Sequence, residues 1–421
     1  MYTDTALRPA ALAQDPTAPV GRRELLDRKR QVVGYELFAR SRAHAATDAP
    51  ADSTSPDRTV FTALADGGKA ALVGRKTVFV HCADAALNDD TLDRVPPDGV
   101  VLVFTPQPGL PQAEIDTRTR QLAALRQRGF GLGFTHAVLG TPFAAWLPLA
   151  AHVTLDLAAL QPAIVAPLVQ KARTFPHIKL LAHNVNTVAL YTRMSELGVT
   201  LFEGSWLSQP VAASARTIRP SQATILQLIQ LLQTDADLAA IEEVLKRDPT
   251  LSFNLLRFIN SSGFGLRCEI TSFRHAAMII GQKNLCRWAA LLLTASKDSA
   301  APPAIGSTAI VRGRLTELLA AELLAPGDCD NAFIVGVFSL LDAMLGVPMA
   351  QALDQLPLPE PVTDALLYRT GPFAPFLDLA IACESGEDEG FAKAARTLHL
   401  SNHQINWAHL QALAWGDALL A

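Results

Sequence analysis

Five cysteines are the residues whose type best suits covalent or metal chemistry in this sequence, and their spacing argues against both. They stand far apart along the 421 residues, with no C-x-x-C pair: Cys82, Cys268, Cys286, Cys329 and Cys383. A disulfide framework or a structural zinc knuckle needs closer, paired spacing, so we expect reduced thiols. Hydrolytic or metal chemistry then depends on carboxylates and histidines, and Glu36 is one carboxylate at the end of a predicted strand.

The elements that must position such side chains form two contrasting regions. From residue 21 to about residue 210, short apolar runs alternate with amphipathic helical stretches, a pattern typical of parallel strands joined by crossover helices. The run Val100–Phe104 is apolar throughout, as buried parallel strands are. The predicted strands are Val32–Phe38, Thr77–Cys82, Val100–Thr105, Gly131–His136, His152–Leu155, Lys179–His183 and Thr200–Phe202.

This α/β pattern favours a TIM-like barrel. Seven or eight strands also suit an open, doubly wound sheet, because a sequence does not reveal strand order. After about residue 212 the apolar spacing becomes helical and predicts an all-α region. We therefore expect a disordered lead at residues 1–20, a barrel at 21–212 and a helical domain at 213–421, with a flexible loop at Ala45–Asp57 and a helix beginning at Asp248–Pro249.

Composition argues against several classes of partner. The formal charge is −4, from 36 basic and 40 acidic residues mixed along the chain, which offers no broad attraction for nucleic acid or anionic lipid. Arg216, Arg219, Lys246 and Arg247, near the junction of the two regions, are interpreted as a solvated face. Without a signal-like N-terminus or an apolar stretch long enough to span a bilayer, the protein is expected in the cytoplasm, with no membrane contact.

Two stretches carry a resemblance to a known family. Leu26–Arg28 followed by Val33–Arg40 is similar to the opening strand of EAL domains, with Glu36 as the motif glutamate. A second set resembles the helices of HDOD domains: Asp248–Leu251, Leu255, Leu256, Asn260, Ser261, Phe264, Gly265, Ile270, Ser272, Ala276 and Gly281. In order and separation the motifs resemble the bacterial EAL-plus-HDOD signalling proteins, which implies an EAL (β/α) barrel followed by a helical HDOD bundle.

The resemblance implies where an active site would lie and which ligands it would need. Active EAL enzymes hydrolyse cyclic di-GMP with two Mg²⁺ or Mn²⁺ ions, held by carboxylates and an Asn at the carboxyl ends of the strands. Here Glu36 matches, but the other family positions hold His81 for the Asn, Val103 for a Glu, Thr135 and His136 for an Asp-Asp pair, Thr154 for a Lys, His183 and Asn186 for two acidic residues, and Glu203 for a Gln. Because hard ions need several oxygen ligands, hydrolysis by the standard mechanism is not expected.

The same replacements favour a different metal. At the family positions, His81, His136 and His183 would converge with Glu36 at the barrel mouth, and imidazoles with a carboxylate suit Zn²⁺. A single zinc site is therefore a hypothesis, against the simpler interpretation that Glu36 is a relic and that no cofactor binds. In the helical domain, Ser339 and Leu340 stand where metal-binding relatives of HDOD domains have His-Asp, so no metal site is expected there.

These replacements predict a protein that is not an enzyme. We expect a signal-transduction adaptor or sensor, in which a degenerate barrel senses a ligand or docks a protein and the HDOD domain acts on a protein partner such as a kinase or another regulator. One alternative is a metal-dependent phosphodiesterase that acts on cyclic di-GMP through Glu36 and the histidines. The other is binding of cyclic di-GMP without turnover, which the negative charge of Glu203 would disfavour.

Overall fold

The structure is a computed structural model that describes residues 20–39, 56–207, 220–234, 236–247, 281, 285–294, 302–354, 356–384 and 388–420. Predictions for residues 1–19, for the helix start at Asp248–Pro249, and for the side chains of Arg216, Arg219, Lys246 and Arg247 lie outside the described residues. Most of the predicted loop Ala45–Asp57 also lies outside them. That prediction is wrong for its last two residues, because Pro56 and Asp57 begin a helix, where proline suits the first position.

Eight strands close into a barrel in the order β1 to β8: Val20–Asp27, Val32–Ala39, Thr77–Cys82, Val100–Phe104, Gly131–Thr135, His152–Asp156, Lys179–His183 and Leu201–Phe202. Strands β2 to β8 run parallel and correspond to the seven predicted runs. The TIM-like barrel is confirmed, and the open sheet is not formed. Helices follow β2, β4, β6 and β7, whereas short 3₁₀ turns follow β3 and β5; the helices are α1 Pro56–Val73, α2 Gln112–Gln127, α3 Pro162–Arg173 and α4 Val188–Leu197.

The sequence pattern misses β1, which lies antiparallel to both of its neighbours. The turn between Asp27 and Val32 is too short for the crossover that parallel strands require, so β1 and β2 form a hairpin. Asp27 Oδ1 accepts a hydrogen bond from Gln31 N at 2.9 Å, and Arg30 has a φ of 58°, the left-handed conformation of a tight turn. The seven predicted strands are thus parallel, and the unpredicted β1 is antiparallel to its neighbours.

Apolar side chains fill both faces of the barrel wall. The inner cluster consists of Leu25, Phe79, Val101, Val103 and Leu181. A larger cluster lies between the strands and the helices around them, and its aromatic side chains, such as those of Phe61, Phe104, Phe134 and Phe202, are fully buried. Because the interior is filled, polar side chains can meet only at the mouth of the barrel, where the strands end.

The remaining described chain is helical, as the sequence predicts. Residues 285–294 are helical, and the named helices are α5 Pro220–Gln233, α6 Leu238–Arg247, α7 Pro303–Ala320, α8 Pro326–Phe338, α9 Leu341–Leu345, α10 Met349–Leu353, α11 Glu360–Leu367, α12 Ala374–Glu384, α13 Asp388–Thr397 and α14 Asn402–Leu420. They bury a common apolar core around Phe333 and Phe338. Helices α7 and α8 cross so closely that a Cβ at Gly336 would clash with the backbone of Gly313, so glycine is required there.

The helical domain packs directly on the β1–β2 hairpin. Ala304 N at the start of α7 donates to Arg30 O at 3.1 Å, and Thr308 Oγ1, one turn later, donates to Glu24 Oε2 at 3.0 Å. Ala304 and Leu413 belong to the apolar cluster around the outside of the barrel. The hairpin that carries Glu36 thus also carries a contact between the two domains.

Among the helices described, none combines the length and the apolar character needed to cross a membrane.

Candidate metal centre

Three of the predicted side chains meet near the carboxyl ends of strands β2, β3 and β7. Glu36, His81 and His183 each offer a ligand atom, and these atoms lie within 4.8 Å of one another. Glu36 Oε1 is 3.4 Å from His81 Nε2, and Glu36 Oε2 is 3.4 Å from His183 Nδ1. Successive side chains of a strand point to opposite faces, and these three residues share the inward face with the inner apolar cluster. This shared face explains why the three side chains lie close together. The barrel therefore brings two imidazoles and one carboxylate together at its mouth.

Burial leaves polar atoms of this cluster without partners. Glu36 and His183 are only 5% and 7% exposed, whereas 40% of the His81 side chain is exposed. Glu36 Oε2 and His183 Nε2 are buried and have no hydrogen-bond partner. An unsatisfied buried polar atom costs about 1–3 kcal/mol, and such atoms in a native structure often mark a place for an ion or another ligand.

The donor set decides which ion fits the cluster. Two imidazoles and a carboxylate are the three protein ligands of one kind of catalytic zinc site, which keeps a fourth position open. The 3.4 Å between Glu36 Oε1 and His81 Nε2 is close to the roughly 3.3 Å that separates two ligands of a tetrahedral ion with bonds of about 2.0–2.1 Å. Magnesium prefers six oxygen ligands, and Glu36 is the sole carboxylate of the cluster. The residues therefore fit one zinc-class ion and do not fit a pair of Mg²⁺ ions.

The surrounding charges set the protonation of the two histidines. Burial lowers the pKa of His81 by more than the charge of Glu36 raises it. Burial also lowers the pKa of His183, but the hydrogen bond with Glu203 and the charges of Glu36 and Glu203 outweigh it, so this pKa is raised. Burial acts to raise the pKa of Glu203, but its contacts with His183 lower this pKa by a larger amount, so the pKa is lowered overall. Because a metal ion binds the neutral imidazole, the raised pKa of His183 makes the proton a stronger competitor of the ion at this residue.

Residues at the ends of β6, β7 and β8 hold this arrangement in place. Asn184 Nδ2 donates to Asp156 Oδ1 at 2.7 Å, and Asn184 N donates to Glu203 Oε2 at 3.1 Å. Asn184 has a φ of 61°, a left-handed conformation that asparagine adopts more readily than most residues. Glu203 Oε2 is also 3.4 Å from His183 Nδ1. Glu203 is thus held between the backbone N–H of Asn184 and the ring of His183.

The other predicted positions lie outside the cluster of three. His136 begins the 3₁₀ turn after β5 and is not part of the group of three, so the structure brings together three of the four residues of the zinc hypothesis. Val103 and Thr154 are buried in β4 and β6. Thr135 Oγ1 is buried without a hydrogen-bond partner, and Asn186 Oδ1 accepts two hydrogen bonds from the turn after β8.

Sequence reasoning missed three side chains at the mouth. Arg23 Nη1 lies 3.7 Å from Glu36 Oε1, and it was missed because β1 was not predicted. Asp156 and Asn184 make the hydrogen bond described above. Both stand directly at a strand end, which is the sequence signal that could have marked them.

The position of the lost His-Asp doublet in the helical domain has a different environment. Ser339 follows α8, and its Oγ accepts a hydrogen bond from Arg312 Nη1 at 2.7 Å. Arg312 also donates to both carboxylate oxygens of Glu384, at 2.8 and 2.6 Å. Leu340 is buried in the apolar core. Within the described ranges, the barrel cluster is the one group of His, Cys, Asp and Glu side chains with metal-binding spacing.

Comparisons with known proteins reproduce the two-part architecture. The HDOD domain family matches residues 219–338. Over 413 residues the chain is 26% identical to cyclic di-GMP phosphodiesterase CdgJ of Vibrio cholerae, a match that covers 95% of this chain and 93% of that protein. Over 244 residues it is 27% identical to the uncharacterized protein YuxH of Bacillus subtilis, covering 57% of this chain and 59% of that protein.

Two solved structures resemble part of the chain. The PaMucR phosphodiesterase in complex with c-di-GMP matches with a TM-score of 0.35 and 18% identity, over 46% of this chain and 96% of that chain. A standalone EAL protein of Vibrio cholerae O395 in its c-di-GMP-bound form matches with a TM-score of 0.35 and 15% identity, over 44% of this chain and 89% of that chain.

Residues 219–338 of the chain match the HDOD domain family and follow the closed barrel of residues 20–202, so the two-part architecture that the sequence predicts is confirmed. The expectation that it is not an enzyme is contradicted by CdgJ, a relative along almost the whole chain that is named a phosphodiesterase. The expectation gave more weight to the lost family ligands than to the zinc hypothesis, whereas the barrel places His81 and His183 beside Glu36, where each adds a ligand atom. The protein partner of the HDOD domain and the cytoplasmic location stay predictions.

Proposed function

We propose that this protein hydrolyses cyclic di-GMP at one metal ion held by Glu36, His81 and His183. The observation that carries the proposal is the convergence of these three ligand atoms within 4.8 Å, with buried atoms that lack hydrogen-bond partners. The name of the relative CdgJ, which is 26% identical over 95% of this chain, supports the substrate.

The three side chains divide the work of holding the ion. Buried Glu36 and His183 keep their ligand atoms in fixed positions, and the half-exposed His81 lies where substrate enters. When bound, a zinc-class ion supplies Lewis acidity that polarises a phosphodiester and makes water a stronger nucleophile near neutral pH. Three protein ligands leave room for substrate at the fourth position.

Arg23 and Glu203 set the charge around this position. The Arg23 guanidinium, 3.7 Å from Glu36 and about one-third exposed, offers positive charge to the oxygens of a bound phosphodiester. Glu203 orients the ring of His183 and fixes which nitrogen faces the ion. Because Glu203 also accepts the backbone N–H of Asn184, its negative charge is partly compensated. The repulsion of a phosphodiester that the sequence predicted for Glu203 is weakened accordingly.

The test uses the full-length protein, purified without an affinity tag, stripped with a chelator and reloaded with Zn²⁺, Mn²⁺ or Mg²⁺. We expect one equivalent of zinc per chain and conversion of cyclic di-GMP to the linear dinucleotide. His183→Ala should lose the stoichiometric zinc and lower kcat/KM by about 100-fold or more, because even residues that only orient metal ligands commonly contribute 10–100-fold.

His136→Ala is the matched control, since it removes an imidazole at the mouth but outside the cluster. It should keep both the zinc and the activity. Equal activity in His183→Ala and wild type would contradict the site. Binding of cyclic di-GMP without product under every metal would contradict the activity and favour a sensor.

A further inference from the structure

The barrel wall is incomplete between its first and last strands. β1 pairs with β2 along almost its whole length, but with β8 only at Leu26 and Asp27. β8 ends at Phe202, and Gly204 turns the chain with a φ of 147°, at a position where a Cβ would clash with the backbone of Val185. In the described chain, the rest of β1 thus has a strand partner on one side only.

A cavity of about 560 Å³, which we name the seam cavity, fills this opening. The barrel lines it with Arg23, Glu24 and Glu203, and helices α7 and α12 of the HDOD domain line it with Thr308 and Ile381. Its volume lies in the range of small-molecule sites, about 300–1,000 Å³. The helical domain therefore forms one wall of a cavity whose other wall is the barrel.

The seam cavity adjoins the metal cluster. Arg23, in its lining, has Nη1 3.7 Å from Glu36 Oε1. Glu203, also in its lining, has Oε2 3.4 Å from His183 Nδ1. Arg23 and Glu203 thus belong to the lining of the seam cavity and also contact the metal cluster, so the two places are neighbours.

Carboxyl groups dominate the charge of the seam cavity. Glu24, Glu203 and Glu384 line it together with two arginines, Arg23 and Arg312. Both oxygens of Glu384 already bind Arg312, so that pair is internally neutral. The remaining groups, Glu24, Glu203 and Arg23, leave no excess of positive charge to attract a phosphate, and their acceptor oxygens favour an uncharged group with N–H donors.

The base of a guanine nucleotide has the hydrogen-bonding groups that this lining would recognise. Its adjacent N1–H and N2–H₂ donors match a carboxylate, and its O6 and N7 acceptors match an arginine. Adenine has neither the N1–H nor the N2 amino group. The charges of the two places thus suit different parts of a cyclic dinucleotide. The metal cluster suits a phosphodiester, and the seam cavity suits a base.

We infer that the seam cavity binds one guanine base of the substrate, so that the HDOD domain forms part of the substrate site. This inference rests on the proposed function for the identity of the dinucleotide. It gives the second domain a direct role in substrate affinity, because Thr308 and Ile381 belong to α7 and α12.

The experiment fills the seam cavity in the full-length protein. Guanosine and adenosine are titrated into chelator-treated protein by calorimetry, and KM for cyclic di-GMP is measured with zinc. We expect guanosine to bind at least about 10-fold more tightly than adenosine, since a site built to pair polar groups discriminates strongly against a base that leaves them unpaired. Ile381→Trp should weaken guanosine binding and raise KM by about 10-fold or more.

Two further variants make the result decisive. Ser205→Trp fills the cavity from the barrel side at an exposed position and should act like Ile381→Trp, so the outcome does not depend on the folding of one variant. Leu323→Trp is the control, because Leu323 is 51% exposed on the HDOD domain and is not part of the lining. Guanosine binding and KM should stay at wild-type values in Leu323→Trp.

The outcomes separate this inference from the proposed function. Unchanged guanosine affinity and KM in both folded cavity variants would overturn the inference while leaving hydrolysis intact. Guanosine binding that both tryptophans abolish, in a wild-type protein that hydrolyses nothing, would support the inference and contradict the proposed function.

Discussion

The barrel mouth and the surroundings of Ser339 are two places where the family resemblance directs attention to metal ligands, and their side chains are satisfied in opposite ways. At the mouth, Glu36 Oε2 and His183 Nε2 are buried without hydrogen-bond partners. Beside Ser339, Arg312 donates to the serine hydroxyl and to both oxygens of Glu384. The mouth offers unsatisfied atoms to a ligand, whereas the region beside Ser339 supplies its own partners.

This contrast predicts that substitutions in the two regions change different properties of the protein. A buried network in which every polar group is paired strengthens the fold, and losing one member leaves another uncompensated. A buried polar atom without a partner is an energetic cost that proteins retain at functional sites. Substitutions at the mouth should therefore weaken metal binding with little loss of stability, and substitutions at Arg312 should lower stability and leave metal binding at the mouth intact.

The largest expected effect on stability is that of Arg312→Met. It leaves the carboxylate of Glu384 beside Glu24 without the guanidinium that binds it, and breaking a buried ion pair in this way costs about 3 kcal/mol or more. We expect a matching loss in the free energy of unfolding measured with denaturant, with zinc binding at the mouth retained.

Arg369→Met tests the specificity of that effect. Arg369 Nη1 lies 3.4 Å from Asp378, and both side chains are substantially exposed, so this change should cost less than about 1 kcal/mol. If Arg312→Met and Arg369→Met have equal free energies of unfolding, the buried network around Ser339 stabilises the fold no more than an exposed ion pair does. The contrast between this region and the mouth would then be contradicted.

A smaller effect is expected for Glu203→Gln, which weakens the orientation of a metal ligand without removing one. The amide keeps the shape of the side chain but loses the charge that faces His183. Zinc affinity, measured by competition with a chelating dye, should fall by about 10–100-fold. Glu196→Gln, at an exposed position of α4, should leave zinc affinity unchanged. Wild-type affinity in Glu203→Gln would show that Glu203 does not orient the ligand.

The sequence predicts the parallel strands well because each is an apolar run with turn residues around it. It does not predict β1, because that strand carries Arg22, Arg23 and Glu24 within eight residues. Their partners are distant in the chain: Arg22 Nε donates to Leu72 O at 3.1 Å, and Glu24 accepts from Thr308. Polar residues with such distant partners interrupt the alternation of apolar and polar residues by which strands are recognised in a sequence.

The metal cluster could be predicted only in part, for a related reason. Strand order and the inward direction of alternate residues indicate that His81, His183 and Glu36 lie at one mouth. Which of four mouth residues come within ligand distance depends on the closure of the barrel, and this leaves His136 outside the group. The pairing of Arg312 with Glu384 joins residues of two different helices and has no local signal in the sequence.

The smallest expected effect is a pH dependence of stability that originates at Glu24. Burial, and after it the charge of Glu384, raises the pKa of Glu24 from 4.5 to about 7, against smaller opposing effects of Thr308, Arg312 and Lys76. A carboxyl group whose pKa is higher in the folded state stabilises the fold while it is protonated. That contribution declines as the pH rises from 4.5 to about 7, because the unfolded chain loses its proton first.

Glu24→Gln removes this titration while it keeps an oxygen that can accept from Thr308. Between pH 5.5 and pH 8, wild type should lose on the order of 1–2 kcal/mol of unfolding free energy relative to the variant, measured with denaturant at each pH. The exposed Glu196→Gln variant should follow the wild-type curve. If the curves of unfolding free energy against pH are parallel for wild type and Glu24→Gln, Glu24 is already ionised in the folded protein. Arg312 would then compensate the charges of both Glu24 and Glu384.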